Sequence, residues 1–156
     1  MPDINDLTFL RLIMPRSFEV IPRRLFEQIP KRDWSVDKLY RYGPVFIANP
    51  FNAVWALQDI GKIIHGVLWV TIDPIVEIIA VNVLSVDREY QGINGGLSNR
   101  PSGIIKKTAD HLHKFQKEFK DRFGIELKHE ILWSTTRPRA CERAGAKRYP
   151  RVIMEI

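Results

Sequence analysis

The stretch that decides the fold runs from residue 76 to residue 123. It begins VEIIAVNVLSV (Val76–Val86), continues through the glycine-rich QGINGGLSNRPSG (Gln91–Gly103) and ends IIKKTADHLHKFQKEFKDRF (Ile104–Phe123). The first part predicts a strand with apolar residues on both faces, which is typical of a central strand covered twice. Simple alternation would place Ile78, Ala80, Leu84 and Val86 on one face, and Ile79, Val81 and Val83 on the other.

The last part of this stretch predicts the longest helix of the chain. Its apolar residues recur at steps of three and four, the spacing of one helix face: Ile105, Ala109, Leu112, Phe115, Phe119 and Phe123. Gly124 follows, and glycine readily takes the left-handed conformation that ends a helix. A strand, a glycine-rich turn and a helix in this order can arrange backbone N–H groups around a phosphate.

Shorter elements flank this stretch. On its N-terminal side the sequence predicts a strand, a helix opened by Pro22 and stopped by Pro30, a Ser35-capped helix ending at Gly43-Pro44, and two strands of an antiparallel meander; these are Leu7–Met14, Pro22–Pro30, Val36–Tyr42, Ala53–Leu57 and Ile63–Ile72. On its C-terminal side it predicts a strand, a short helix and a closing strand, over Ile125–Trp133, Arg137–Ala144 and Val152–Ile156.

This order of elements resembles the GNAT acyltransferases, which transfer an acetyl group from acetyl-CoA to an amine. The resemblance covers nearly the whole chain, taken as one domain over residues 1–156. It implies an α+β fold whose sheet is mixed but mostly antiparallel, with helices on both faces.

The family's phosphate-loop signature is a strand ending in valine followed by Gln/Arg-x-x-Gly-x-Gly/Ala, and two frames of this chain match it in part. In the first, Gln91 and Gly96 match and Asn94 stands where the family has glycine; asparagine tolerates the left-handed region better than most residues. In the second, Arg100 and Gly103 match, but Ile105 is bulky. The resemblance implies that CoA would be bound by Val86, Gln91, Gly92, Asn94, Gly96, Arg100 and Gly103. Acetyl-CoA is the implied cofactor of an active protein, and the departures lead us to expect weak binding or none.

Two catalytic candidates follow from the same resemblance. The family's Tyr-Glu-Lys-x-Gly-Phe corresponds here to residues 141–146, so Cys141 replaces the tyrosine that protonates the departing CoA thiolate. A thiol with a pKa near 8.5 can donate a proton, although the side chain is shorter by a ring, and a buried, inert cysteine is the alternative. Glu77, near the start of the central strand, is the candidate general base, with a surface carboxylate as the alternative.

Composition and charge exclude several classes of protein. An apolar share of 45% excludes a disordered chain, and a single cysteine excludes an intrachain disulfide or a multi-cysteine zinc site. His111 and His113 are two apart on a helix and point apart, so we expect no metal pair. The apolar stretches are shorter than the roughly 18 residues that a membrane span requires. Lys and Arg exceed Asp and Glu by 24 − 18 = 6, with a dense basic segment over Arg137–Arg151.

Three functional hypotheses remain open. The departures from the GNAT motifs favour a catalytically degraded member that acts as a structural or protein-binding module. It would bind a protein partner or copies of itself, as a tail or portal-adaptor component of a tailed-phage virion, or in the cytoplasm. The alternative is an active acetyl-CoA-dependent N-acetyltransferase acting on an amine. Nucleic-acid binding through the basic C-terminal segment is the weakest of the three, because no recognised nucleic-acid motif accompanies the charge.

Overall fold

The computed structural model describes residues 3–29, 35–91, 103–133, 141–142 and 145–147. Within these residues one sheet contains the strands β1 (Thr8–Arg11), β2 (Asn52–Gln58), β3 (Ile64–Asp73), β4 (Ile78–Val86) and β5 (Ile131–Trp133). The helices are α1 (Arg23–Glu27), α2 (Val36–Ala48) and α3 (Gly103–Phe123). Short 3₁₀ turns cover Ile4–Asp6, Pro15–Val20 and Arg88–Tyr90.

The sheet has the order β1-β2-β3-β4-β5, and every neighbouring pair is antiparallel except β4 and β5. The parallel pair arises because α3 carries the chain from the end of β4 back to its start, which only a long crossover can do. The predicted meander and the mixed, mostly antiparallel α+β sheet are confirmed. β4 is covered on both faces, as predicted, but β3 is the middle strand of the described order.

Helices cover both faces of the sheet, as predicted. On one face α3 packs through buried apolar residues onto β2, β3 and β4. On the other face, α1, α2 and the 3₁₀ turn before them pack around Phe18, whose side chain is fully buried among aromatic rings. Burial of this apolar area on two sides is the main stabilising contribution of such a layered fold.

The long helix follows the prediction closely. It starts at Gly103, buries Leu112, Phe115 and Phe119 against the sheet, and ends before Gly124, whose φ of +69° gives the left-handed cap. Ile105 is only partly buried, because Ile104 takes the core position in the first turn.

The predicted end of the second helix at Gly43-Pro44 is wrong, because α2 continues through Pro44 to Ala48. Proline removes one hydrogen bond and crowds the preceding turn. Against this cost, the extension buries Ile47 in the same layer as Leu39, and Gly43 lets the helix approach Phe18 closely. Tertiary packing therefore overrides the local breaker.

The predicted faces of β4 are wrong beyond Val81. Val81 pairs with Val70 and Val83 pairs with Trp69, so Asn82 is an extra residue, a β-bulge. The bulge shifts the alternation by one residue. Ile79, Val81, Leu84 and Val86 consequently belong to the α3 layer, and Val83 belongs to the α1–α2 layer.

Several predicted strands are longer than the observed ones. β1 covers only the middle of Leu7–Met14, and β5 covers only the last three residues of Ile125–Trp133. Before β5, main-chain groups make hydrogen bonds outside the strand ladder: Lys128 N donates to Glu77 O, and Gln116 Nε2 donates to Lys128 O. Of the predicted C-terminal helix, Cys141–Glu142 is helical and Gly145 follows with a φ of +96°. The closing strand Val152–Ile156 lies outside the described residues.

Candidate active site

The bulge at Asn82 marks a change in how β4 is paired. β5 pairs with β4 from Ile79 to Val81 and no further. Among the described residues, no strand pairs with 83–86 on that edge of β4. Unpaired strand edges present backbone N–H and C=O groups that bind an extended ligand carrying amides. Among the described residues, the backbone of β4 after the bulge is therefore open to such a ligand, except at Val86 O, which accepts side-chain hydrogen bonds from Gln28 and Gln91.

A chain of polar groups lies at the bulge. The exposed Asn82 donates from Nδ2 to Thr71 Oγ1, and Thr71 donates to Asn52 Oδ1 over 3.3 Å. Trp69, two residues before Thr71 and on the same face, is 6% exposed, and its Nε1 has no hydrogen-bond partner among the described residues. Phe46 of α2 packs against Trp69 with the ring centroids 4.9 Å apart. The face that holds α1 and α2 thus offers polar groups beside an aromatic wall.

The end of β4 is fixed to α1 by an amide network. Gln28 Nε2 donates to Ser85 Oγ over 3.0 Å and to Val86 O over 3.1 Å, and the Ser85 hydroxyl donates to Leu25 O over 2.6 Å. Gln91 Nε2 also donates to Val86 O, over 2.7 Å. The position where the chain leaves the sheet is accordingly well defined.

A polar cavity of about 310 Å³ opens at this point, lined by Arg24, Glu27, Gln28, Arg88 and Gln91. Gln91 is the first residue of one predicted phosphate-loop frame. Arg88 is exposed, and its guanidinium makes no ion pair with another described residue. A guanidinium such as that of Arg88, at the wall of a cavity, suits a phosphate group.

His65 is the centre of a charged cluster, which is linked to the cavity through Arg24. Its Nε2 lies 2.8 Å from Asp59 Oδ2, and its Nδ1 lies 3.0 Å from Asp87 Oδ2 and 3.2 Å from Glu89 Oε1. Arg24 binds Asp87 through two parallel hydrogen bonds of 2.9 and 2.8 Å. The bond from His65 holds the pKa of Asp59 below its usual range. Burial alone would raise the pKa of Asp87, but Arg24 and His65 outweigh it and lower that pKa.

Three donor atoms of this cluster, from His65, Asp87 and Glu89, lie within 4.8 Å of one another. The Nη2 of Arg24 is 2.8 Å from Asp87 Oδ2, so a cation already neutralises that carboxylate. A metal ion there would repel the guanidinium. We therefore assign the cluster to hydrogen bonding rather than to a metal ion.

The structure places only part of the predicted cofactor site. Val86 is buried at the end of β4, Gln91 lines the cavity, and Gly103 is the first residue of α3. The second frame therefore leads directly into the helix. The predicted ligands Gly92, Asn94, Gly96 and Arg100 lie outside the described residues.

The two predicted catalytic residues lie in different settings. Glu77 is exposed and sits in the turn before β4 with a φ of +59°, not within the strand. At about 3.3 Å per residue it lies roughly 16 Å along β4 from Asn82 and roughly 30 Å from Val86. Cys141 is a buried free thiol in a helical turn. Its role and that of Glu77 stay predictions.

Sequence reasoning missed the bulge and the His65 cluster. The bulge had one visible signal, a polar Asn82 inside an otherwise apolar strand. In the cluster, Asp87 is 22 positions after His65 and 28 positions after Asp59. These residues belong to no common motif, so only the fold brings them together. The four histidines carried no diagnostic spacing.

No protein-family model matches this sequence, and no curated protein matches it. Solved structures do match. The aminoglycoside 6'-N-acetyltransferase AAC(6')-Ih from Acinetobacter baumannii is 12% identical, with a TM-score of 0.65 over 96% of this chain and 97% of that chain. AAC(6')-Iy in complex with the bisubstrate analog CoA-S-monomethyl-acetylneamine is 12% identical, with a TM-score of 0.59 over 96% and 97% of the two chains. A ribosomal-protein-alanine N-acetyltransferase from Brucella melitensis biovar Abortus 2308 is 11% identical, with a TM-score of 0.55 over 96% and 99%.

The chain has the GNAT fold. The predicted resemblance is thereby confirmed at the level of the fold, and at these identities the likeness carries no further than that. In this GNAT fold β4 is followed in the chain by α3, as the sequence predicted, and most of the glycine-rich segment between them lies outside the described residues.

Two further properties bear on partners. In the part of the chain that the structure describes, no helix is long and apolar enough to cross a membrane. Most of the basic segment Arg137–Arg151 lies outside the described residues, so binding to a protein partner, to a second copy or to nucleic acid stays a prediction.

Proposed function

We propose that this protein is an acetyl-CoA-dependent N-acetyltransferase acting on an amine. The observation that carries the proposal is the interrupted pairing of β4, where β5 stops at Val81 beside the bulge at Asn82. The similar structures are acetyltransferases by name, and one of them holds a CoA-derived bisubstrate analog. The virion module favoured by the sequence gains no support from these observations.

The chemistry of the cofactor fits the described residues. The pantetheine arm of CoA carries two amides, which can bond, as an added strand would, to the backbone of β4 after the bulge, where no described strand pairs on that edge. The phosphates would then lie toward the end of β4, where Arg88 and Gln91 line the cavity and α3 begins at Gly103. A helix N-terminus favours negative charge. Val86 at the end of β4, Gln91 at the cavity and Gly103 at the start of α3 follow one another in the chain.

Transfer requires that the amine nitrogen attack the thioester carbonyl carbon. A C–N bond forms, the C–S bond breaks, the amine loses a proton and the CoA thiolate gains one. Backbone N–H groups of β4 after the bulge, where no described strand pairs on that edge, can donate to the carbonyl oxygen as negative charge develops on it. Asn82, Thr71 and Asn52 supply neutral hydrogen-bonding groups on the α1–α2 face, where an amine could approach.

The test is calorimetric titration with acetyl-CoA, followed by detection of free thiol with a panel of small amines. We expect binding with a dissociation constant in the micromolar range and thiol release that requires the amine. Gly96→Val is expected to abolish binding if the first frame carries the pyrophosphate, and Ile105→Val, on the second frame, is the matched control. A protein that binds no acetyl-CoA would overturn the proposal and return the structural module to first place.

A further inference from the structure

His65 faces a carboxylate at each of its two ring nitrogens. Asp59 lies 2.8 Å from Nε2, and Asp87 lies 3.0 Å from Nδ1. A neutral imidazole has one N–H donor and one lone pair, so either tautomer would direct its lone pair at a carboxylate. An imidazolium donates from both nitrogens. The two contacts are satisfied together only when the ring carries a second proton.

We propose that His65 is a positioning residue whose protonated ring ties the turn after β2 to the segment Asp87–Gln91. Asp59 belongs to that turn, and its Oδ1 also accepts from Ile63 N over 2.9 Å. Asp87 directly follows β4, and its main-chain N–H donates to His65 O over 2.7 Å. Side chain and main chain of Asp87 are therefore both held by the same residue of β3.

Five groups surround the ring, and their charges decide when it is protonated. Three are the carboxylates of Asp59, Asp87 and Glu89; the others are the guanidinium of Arg24, which faces Asp87, and the Tyr90 ring, 5.0 Å away. Burial by itself lowers the pKa of His65, but the hydrogen bonds and charges of Asp59 and Asp87 outweigh burial and raise that pKa above 6.5. The proton is accordingly held at low pH and lost as pH rises through the raised value.

The consequence for the ligand rests on the proposed function. Arg88 and Gln91 belong to the segment that His65 holds, and both line the cavity assigned to the phosphates. Once the ring is neutral, one carboxylate contact is lost and only Arg24 compensates the charge of Asp87 and Glu89. The segment then loosens, and the affinity for acetyl-CoA falls. A typical coupling between two such events changes affinity by about tenfold.

The experiment combines NMR of the His65 ring with acetyl-CoA titrations over a pH series. For the parent protein we expect a ring titration midpoint above 6.5 and a dissociation constant that rises about tenfold across that midpoint. Asp59→Asn is expected to lower the midpoint and to move the affinity profile by the same amount, which a merely structural role would not do. His65→Gln should bind weakly at every pH. Asp73→Asn is the matched control, because Asp73 caps Ile75 N and Val76 N in the turn at the other end of β3.

The outcomes separate this proposal from the proposed function. A ring midpoint at or below 6.5 overturns it, as does a stoichiometric metal ion whose removal changes the ring resonances. If acetyl-CoA binds at no pH, the proposed function fails, and the backbone amides of Asp87–Gln91 become the readout. Amide shifts that follow the ring midpoint support the proposal, and shifts that do not follow it overturn it. Should His65→Gln not fold, Asp59→Asn carries the same test.

Discussion

Val81 and Val83 stand two residues apart in β4, yet they pack in opposite hydrophobic layers of the protein. Val81 contributes to the layer under α3, and Val83 contributes to the layer under α1 and α2. In a regular strand, residues two apart share a face. Here their partners in β3, Val70 and Trp69, are adjacent, so Asn82 is an extra residue of β4 with no partner opposite it. The bulge also coincides with the last residue pair between β4 and β5, Val81 with Trp133.

This relationship makes a deletion informative. Removing Asn82 would restore regular alternation while leaving Val81, Val83 and Leu84 on their observed faces. We therefore expect the deletion variant to fold, with a cooperative thermal transition. A bulge bends its strand and changes the direction of the residues that follow. Because residues 83–86 follow the bulge, we expect the deletion to weaken acetyl-CoA binding by at least about tenfold, or 1.4 kcal/mol.

Asn82→Ala is the matched control, because it keeps the bulge and removes only the side-chain bond to Thr71. Its acetyl-CoA affinity should stay close to that of the parent, as measured by calorimetry. Equal binding by the parent and by the deletion variant would show that the bulge does not shape the cofactor site.

A second prediction concerns Glu77, which the sequence presented as a general base. Its exposed position in the turn before β4, roughly 16 Å along the strand from Asn82, leads us to expect that Glu77→Gln keeps kcat/KM within about twofold. Removal of a true general base costs about 10²–10⁴-fold. The measurement is kcat/KM against pH with the best amine of the panel. A large loss with a missing basic-limb pKa would restore Glu77 to the catalytic role.

Whether an element could be predicted from the sequence depends on whether local or tertiary interactions dominate its stability. α3 was predictable because a long amphipathic period and a glycine cap agree. α2 was mispredicted because the cost of Pro44 is local, whereas the benefit of burying Ile47 and fitting Gly43 against Phe18 depends on tertiary structure. The faces of β4 were mispredicted because a bulge is defined by how two strands pair. The apolar pattern of β4 alone does not show which residues of β3 lie opposite it.

The candidate site likewise contains parts that the sequence could predict and parts that it could not. The sequence predicted that β4 ends at Val86 and that Gln91 begins a phosphate loop; the end of β4 is confirmed, and the role of Gln91 stays a prediction. The cluster around His65 was not predictable, because its members come from β3, from the turn before it and from the segment after β4. Charge pairing between distant segments leaves no periodic trace in a sequence.

A third prediction uses the core position of Leu112, whose side chain is fully buried. Leu112→Ala should lower the free energy of unfolding by about 2–5 kcal/mol, because it removes apolar contact and leaves a cavity between α3 and the sheet. Phe123→Ala, at the exposed end of the same helix, is the control and should cost clearly less. Urea denaturation of both variants checks the difference, and similar values for the two would contradict the assigned core face.

A fourth prediction concerns the acid stability of the protein. Burial, followed by the charges of Lys114 and Arg11, lowers the pKa of His111 from 6.5 to about 4. Between these two values the unfolded chain binds a proton at this position and the folded chain does not. The free energy of unfolding therefore decreases as pH falls through that range.

His111→Phe should remove this contribution. The ring of His111 stacks on Phe9 with a centroid distance of 4.0 Å, and its Nε2 is buried without a partner among the described residues. Phenylalanine preserves the stacking and has no polar atom to bury. We expect the variant to lose less stability than the parent between pH 7 and pH 5, measured by urea denaturation at both values. The cluster at His65 is common to both proteins, so its own pH dependence cancels in the comparison. An equal loss in both would show that His111 does not titrate in this range.

The last prediction tests the close contact between Gly43 of α2 and Phe18, which accompanies the continuation of this helix past Pro44. In a helix interior, Gly→Ala normally stabilises by up to about 1 kcal/mol. At Gly43, however, an added Cβ would lie 2.5 Å from Cδ1 and Cε1 of Phe18, a ring that is fully buried and enclosed by Phe26, Tyr40 and Trp69. Because that ring has no free space to move into, we expect Gly43→Ala to lower the free energy of unfolding by about 1–3 kcal/mol, as overpacked cores do. Val45→Ala, at an exposed site of the same helix, should change stability little. Denaturant titration compares the two variants, and a Gly43→Ala protein more stable than the parent would show that α2 does not depend on this close approach.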